Sequence, residues 1–266
     1  MECEGLPSLS QNRLASGKSD TTVSMKDQYL IEVLLKRDSI RTFDEYPFCL
    51  DAVSGLHSIE FHPKVTYFVG ENGTGKSTLL EAIAVAWGFN AEGGTKNFNF
   101  ATRESHSNLW EHLRLSRGIR KPRDGFFLRA ESFYNVATNI DDVGVADSYG
   151  GVSLHHQSHG ESFMAVVMNR FSGNGLYILD EPEAALSPTR QMALLSRMHD
   201  LLAKGSQFVI ATHSPIIMAY PDATIYRIEQ GTLSRVPYTE TEHFQITREF
   251  LNNHSQMLKI LLEETE

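Results

Sequence analysis

An α/β domain on a largely parallel central sheet is the fold class this 266-residue sequence predicts, and three observations carry it. Short apolar runs alternate with helical stretches along most of the chain, the rhythm of parallel strands joined by crossover helices. One run, KVTYFV, leads through a glycine-rich loop directly into STLLEAIAVAW, so strand, loop and helix follow without a break. Several runs also end in residues able to meet phosphate or metal, and ligands of open α/β sheets collect outside the carboxyl ends of strands.

The elements follow in order. Residues 1–24 are polar, with scattered Ser, Thr and Gly and no apolar periodicity, and read as a flexible tail ahead of a domain over 25–266. Strand-like runs begin near Tyr29 with YLIEVLL and continue with LHSIEF and KVTYFV. After the helix from Lys76 come a loop with Gly93 and Gly94 and a helical stretch around SNLWEHLRLSRG. Then follow the strand FFLRAE, the helical run FMAVVM, the strand GLYILDE, a helix from Pro188 and the strand QFVIATH. A hairpin, YRIEQGTLSRV, and a helical region from about Thr241, docked on the core or on a partner, close the chain.

Bulk composition narrows the function classes. No apolar run reaches the ~18–20 residues that span a bilayer, and the first residues lack the basic–apolar–small order of a signal peptide. The two cysteines, Cys3 and Cys49, form no disulfide framework and no metal spacing, so a cytoplasmic location is expected. A formal net charge of −9 excludes a protein that coats nucleic acid or anionic lipid over its whole surface. A local patch remains open: Arg103, Arg114, Arg117, Arg120, Lys121 and Arg123 are either a solvated face or a contact for a negatively charged partner.

The chemistry concentrates in four strand ends. Gly70-Glu71-Asn72-Gly73-Thr74-Gly75-Lys76-Ser77 fits G-x-x-x-x-G-K-[ST] in full, with Thr78 next in the helix. Glycines let the backbone curl so that its N–H groups face phosphate oxygens, and the helix start adds a positive dipole end. Lys76 can bridge the terminal phosphates and the Ser77 hydroxyl can ligate Mg²⁺. GLYILDEP ends in Asp180 and Glu181; Asp180 can share the metal with Ser77, and Glu181 can polarise a water. QFVIATHSP ends in His213, a candidate contact to the γ-phosphate, with Ser214 and Pro215 suited to begin the next turn. FFLRAE would bring Glu131 to the same edge as a third metal candidate. Upstream, Arg41 and Tyr46 are candidates to meet a base, although Tyr46 fits packing equally.

Ser158-His159-Gly160-Glu161-Ser162 is locally a helix start, since Ser158 and Glu161 have capping-box spacing. The histidines 155, 156 and 159 could suggest zinc, with Asp147 as a further ligand, but a polar loop explains them as well.

In order and spacing, GENGTGKST, SHGES, YILDEP and ATHSP resemble the phosphate loop, signature segment, acidic strand end and switch histidine of ABC-type ATPases. The resemblance covers most of the chain from about residue 28. It looks closest to the stand-alone members related to the heads of DNA-repair and chromosome-maintenance ATPases. It implies a P-loop NTPase fold of ABC type, with an antiparallel N-terminal β flank and a helical lobe over about 88–170. It also implies ATP and Mg²⁺ as cofactors, and a homodimer in which Ser158 and Gly160 of one copy act on the nucleotide of the other. The sequence departs from the family where His159 replaces the first signature glycine, Glu161 stands near the usual glutamine, and Glu131 or Ser132 occupies the place of the Q-loop glutamine. No heptads lie between Lys76 and Ser158, which excludes long coiled-coil arms.

The expected activity is ATP hydrolysis with catalytic Lys76, Glu181 and His213, in a dimeric switch or motor with a nucleic-acid or nuclease partner of a defence type. The alternatives are the ATP-binding subunit of a membrane transporter and an ATP sensor with negligible turnover.

Overall fold

The structure, a computed structural model, describes residues 28–95, 107–131, 133 and 158–262. The expected tail, Cys3, Asp147, His155 and His156 lie outside the described residues, as do Arg103 and Ser132.

Two sheets enclose the phosphate-loop helix. β1 (Leu30–Leu35), β2 (Ser58–Glu60) and β4 (Leu113–Arg117) form an antiparallel sheet in the order β2-β1-β4. β3 (Val65–Val69) belongs to a six-stranded sheet with β5 (Asp124–Arg129), β6 (Gly175–Asp180), β7 (Gln207–Ala211), β8 (Ala223–Glu229) and β9 (Thr232–Arg235). Its order is β5-β6-β7-β3-β8-β9, parallel throughout except for the terminal β8–β9 hairpin. The expected α/β class and antiparallel N-terminal flank are therefore present.

Burial follows from this layering. All five residues of β3, VTYFV, are buried, because a parallel strand in mid-sheet is covered on both faces and has no reason to alternate. After a single turn, α1 (Asp51–Ser54), helix α2 (Lys76–Trp87) lies between the two sheets and buries Leu79, Leu80, Ala82, Ile83 and Ala84. A helix with apolar residues on more than one stripe needs cover on more than one side. The opposite face of the large sheet carries α3 (His159–Ala165), extended by a π-type turn over Val166–Arg170, and α4 (Pro188–Ala203). There Phe163, Leu194 and Met198 pack with Tyr67, Phe126 and Tyr177 of the strands. The Gln207 side chain fastens the small sheet to the large one: its Oε1 accepts from the Tyr29 and Leu30 amides at 3.1 and 2.9 Å, and its Nε2 donates to the Leu30 and His62 carbonyls.

One expected element is corrected. SNLWEHLRLSRG is not a helix but a 3-10 turn, Asn108–His112, followed by strand β4. Leu109, Leu113 and Trp110 imitate helical spacing, yet Leu113 and Leu115 also alternate with Arg114 and Ser116. The free edge of β1, paired to Arg114 through Leu34 and to Leu115 through Val33, favours the strand. Part of the basic stretch is thereby structural. Arg117 lies over the Trp87 ring at 4.4 Å and donates to the Ala86 carbonyl, and Arg120 donates to Asn174.

Helix α5 (Glu242–Leu262) bends at Asn253 and buries no residue. Its first turn is what meets the body, through Phe244 against Tyr238 at 4.6 Å and through His243. Ile246, Leu251, Ile260, Leu261 and Leu262 are exposed.

Candidate functional site

Parallel register explains why distant segments meet. Phe68 of β3 is level with Ala211 of β7, Ala211 with Asp180 of β6, and Asp180 with Arg129 of β5. The residues that follow, Gly70–Ser77, His213, Glu181 and Glu131, consequently leave the sheet at one edge.

The loop after β3 turns sharply. Gly70, Gly73 and Gly75 all have positive φ, and at Gly75 (+92°) a Cβ would also lie 2.9 Å from the Leu50 side chain, so any larger residue is excluded twice over. The loop is braced by the Thr74 hydroxyl, which donates to the Glu71 carbonyl, and by the Thr74 carbonyl, which accepts from the Ala52 amide. Glu71, Asn72 and Gly73 face solvent and Thr78 is half-buried. Helix α2 starts at Gly75 without a side-chain cap and without an acidic residue of its own in its first turn, which leaves its first amides uncapped at the positive end of the helix dipole. The Lys76 ammonium curls back over the loop and donates to the Gly70 and Glu71 carbonyls, each at 2.9 Å. Burial lowers its pKa, while Glu181 and Asp180 pull it up.

Ser77 and Asp180 meet directly: the Ser77 hydroxyl donates to Asp180 Oδ1 at 2.9 Å. Arg129 Nε lies 3.3 Å from Asp180 Oδ2, and the same guanidinium holds Glu81 at 2.6 Å and Glu131 at 3.1 Å. Glu131 thus approaches Asp180 through Arg129, with its own carboxylate exposed. Burial pushes the Asp180 carboxyl up to about 6, against the pull of Arg129 and the Ser77 hydrogen bond. Below its ordinary value of 3.8 the group is protonated folded and unfolded alike; above about 6 it is ionised in both, and its burial then costs stability. A cation bound there relieves that cost. Hard oxygen donors on Ser77 and Asp180 suit Mg²⁺, so its affinity is expected to fall about tenfold per pH unit below about pH 6 and to level off above. Calorimetric titration from pH 5 to 8 measures this; a flat profile would exclude a ligand carboxyl at Asp180 raised to about 6.

Glu181 occupies the left-handed region (φ +49°) at the sharp exit from β6, its amide bound to the Ala211 carbonyl at 2.9 Å. Such a conformation in a non-glycine residue costs about 1 kcal/mol or more and aims the side chain away from the strand direction. Its Oε1 lies 3.6 Å from His213 Nε2. His213 Nδ1 is 2.8 Å from His243 Nε2. The turn after His213 forms as expected: Ser214 Oγ accepts from the Ile216 and Ile217 amides and donates to Gln191.

Ser158 and Gly160 sit on the other face of the sheet's edge, at the start of α3. The Ser158 amide donates to Glu161 Oε2 at 3.0 Å and the Ser158 side chain accepts from the Glu161 amide, the expected capping box, and the Ser158 hydroxyl also donates to Glu161 Oε2 at 2.7 Å. Gly160 is needed for close approach: a Cβ there would lie 2.6 Å from the Ala185 carbonyl and 2.5 Å from Arg190. Residues 184–188, AALSP, therefore back directly onto the helix start. His159 packs edge-on against Phe133 at 5.5 Å, and no group of three His, Cys, Asp or Glu able to hold a metal occurs among the described residues.

Four residues of this neighbourhood carry no sequence motif. Glu81 and Arg129 are seen only through their contacts. Glu183 accepts from the Thr212 hydroxyl and the His213 amide, and so shapes the His213 turn; burial raises its pKa. His243 comes from α5, thirty residues beyond His213.

Comparison with known proteins agrees with this geometry. A family model described as an AAA domain matches residues 25–133, and a second, described as an AAA domain, putative AbiEii toxin, Type IV TA system, matches residues 145–219. The cell division ATP-binding protein FtsE of Bacillus subtilis is 24% identical over 216 residues, covering 73% of this chain and 92% of FtsE. The ABC transporter G family member STR2 of Medicago truncatula is 26% identical over 183 residues, covering 60% of this chain; the chain spans only 25% of STR2's length. The cytochrome c biogenesis ATP-binding export protein CcmA of Legionella pneumophila is 23% identical, covering 65% of this chain and 92% of CcmA. Among solved structures, the SMC head domain from Thermotoga maritima is 18% identical with a TM-score of 0.44, covering 79% of this chain and 99% of that one. With a complete phosphate loop, an acidic strand end beside it and these matches in sequence, the chain is similar to ABC-type P-loop ATPases.

Proposed function

We propose that this chain binds ATP with Mg²⁺ at the carboxyl edge of the large sheet, hydrolyses it there, and works as an ATP-gated dimeric switch in the cytoplasm. The observation that carries this reading is the convergence of Lys76, Ser77, Asp180, Glu181 and His213 on one edge. Loop amides and Lys76 hold the phosphates, and Ser77 with Asp180 holds the metal, with Glu131 as an outer candidate. Bound Mg²⁺ would neutralise charge on the phosphate oxygens. Glu181 orients a water and accepts its proton, and His213 donates from Nε2 to a phosphate oxygen. Ser158 and Gly160 complete the site of a second copy; Ser158 is exposed at the start of α3, which is compatible with that role, whereas Gly160 is buried beside the Ala185 carbonyl and Arg190.

The partner we favour is nucleic acid or a nuclease of a defence type. The second family model, whose description names a putative toxin, supports this direction. The rival reading, an ATP-binding subunit of a membrane transporter, draws on relatives that are named for transport or export. No described helix is long and apolar enough to cross a membrane, so such a subunit would need a membrane partner. Affinity purification separates the two: a polytopic membrane protein favours transport, and nucleic acid or a nuclease favours the first.

The central reading is tested by Lys76→Ala. Removing a charged hydrogen-bond donor to phosphate is expected to weaken ATP binding by about ten- to a hundredfold, with Mg²⁺-dependent phosphate release lost at the same ATP concentration. Unchanged affinity and turnover would sink the convergence on a triphosphate.

A further inference from the structure

We infer that His243, in the first turn of α5, is a positioning residue that donates its Nε2–H to His213 Nδ1 and thereby keeps the proton of His213 on Nε2, facing Glu181 and the phosphate site. The inference deepens the hydrolytic reading of His213 and rests on it for its kinetic consequence.

The geometry leaves two arrangements. Nδ1 of His213 and Nε2 of His243 are 2.8 Å apart with ring centroids 4.9 Å apart, a hydrogen bond between two imidazoles. Burial disfavours the charged form of each ring, and Lys76 adds to that effect at both. Each neutral ring then has one N–H and one lone pair, so a single proton lies between them. If His213 donated it, its Nε2 would be a bare lone pair directed at Glu181 Oε1, 3.6 Å away. Two acceptors would face each other at a buried atom that has no other hydrogen-bond partner among the described residues. If His243 donates, the same Nε2 carries a hydrogen toward the carboxylate. This second arrangement is favourable electrostatically, and it presents the only tautomer that can give a hydrogen bond to a phosphate oxygen.

The Nε2 position also explains why the pair matters. At 3.6 Å from Glu181 the donor is too far for a normal hydrogen bond, so it is buried, oriented and unspent. Fixing a histidine tautomer through the hydrogen bond on its other nitrogen is the usual means of making one ring nitrogen a committed donor. Here the fixing group comes from a helix that buries no residue, so the orientation of α5's first turn bears directly on the His213 ring.

The test combines spectroscopy and kinetics on the full chain with ¹⁵N-labelled histidine, without nucleotide for the first part. His213 is expected to show the Nε2–H tautomer in the parent protein and a mixture of tautomers in His243→Phe. His243→Gln, whose side-chain amide can donate from nearly the same place, is expected to restore the parent signature. In turnover, His243→Phe should lower kcat about three- to tenfold, the effect of one hydrogen bond, with KM for ATP within about twofold; His243→Gln should recover most of it. A parent His213 with its proton on Nδ1 would overturn the inference, as would a His243→Phe protein with the parent tautomer and kcat. A chain with the expected tautomers but no turnover in any form would instead defeat the hydrolytic reading while leaving the pairing intact.

Discussion

Glu181→Gln is expected to lower phosphate release by about 10²–10⁴-fold, the usual weight of a positioned general base, while ATP stays bound. The substitution keeps the side chain's size and the amide bond to Ala211, so the sharp exit from β6 remains. It removes the negative charge that accepts a proton and that faces His213 Nε2 at 3.6 Å. Lys76, Ser77 and Asp180 are untouched, so affinity for ATP with Mg²⁺ should persist. If a closed dimer forms around bound nucleotide, slowing hydrolysis should accumulate it, visible as a shift from monomer to dimer on gel filtration only with ATP present. A variant that releases phosphate at the parent rate would remove Glu181 from the role of base. Slow turnover without any ATP-dependent change in size would remove the dimeric switch and leave the base.

Arg129→Leu is the second large effect, on folding. Arg129 is one-fifth exposed and spans Glu81 at 2.6 Å and Asp180 at 3.3 Å, both nearly buried. Taking away the shared cation strands two carboxylates in a poorly solvated place, which typically costs about 3–5 kcal/mol. Arg129→Lys should recover only part, because one ammonium cannot reproduce a guanidinium fork reaching three acidic groups. Removing Glu81 together with the arginine, as Glu81→Leu with Arg129→Leu, should recover stability relative to Arg129→Leu alone. Urea unfolding of the four proteins measures this, and a loss below about 1 kcal/mol for Arg129→Leu would show that water reaches the cluster. Saturating Mg²⁺ should narrow the deficit, since it supplies Asp180 with a new counter-charge.

Much of this was legible in the chain because it is local. Gly70–Ser77 between an apolar strand and a helix can serve few other purposes, and the Ser158–Glu161 cap formed as its spacing required. Buried parallel strands such as VTYFV and GLYILD were recognisable as continuous apolar runs. The one misread element, Leu113–Arg117, carries apolar residues compatible with both periods. Its choice lay with β1, nearly eighty residues earlier, whose free edge needed a partner. Likewise nothing along the chain marks Arg129 until strand register places it beside Asp180.

By itself the sequence determined the phosphate loop and the acidic and histidine strand ends, since each depends on neighbours a few residues away. Only the tertiary structure decided that Glu81 and Arg129 share the Asp180 carboxylate, that Glu183 shapes the His213 turn, and that His243 meets His213. Those contacts join segments dozens of residues apart. The aligned ends of parallel strands bring them together, and no spacing along the chain records that alignment.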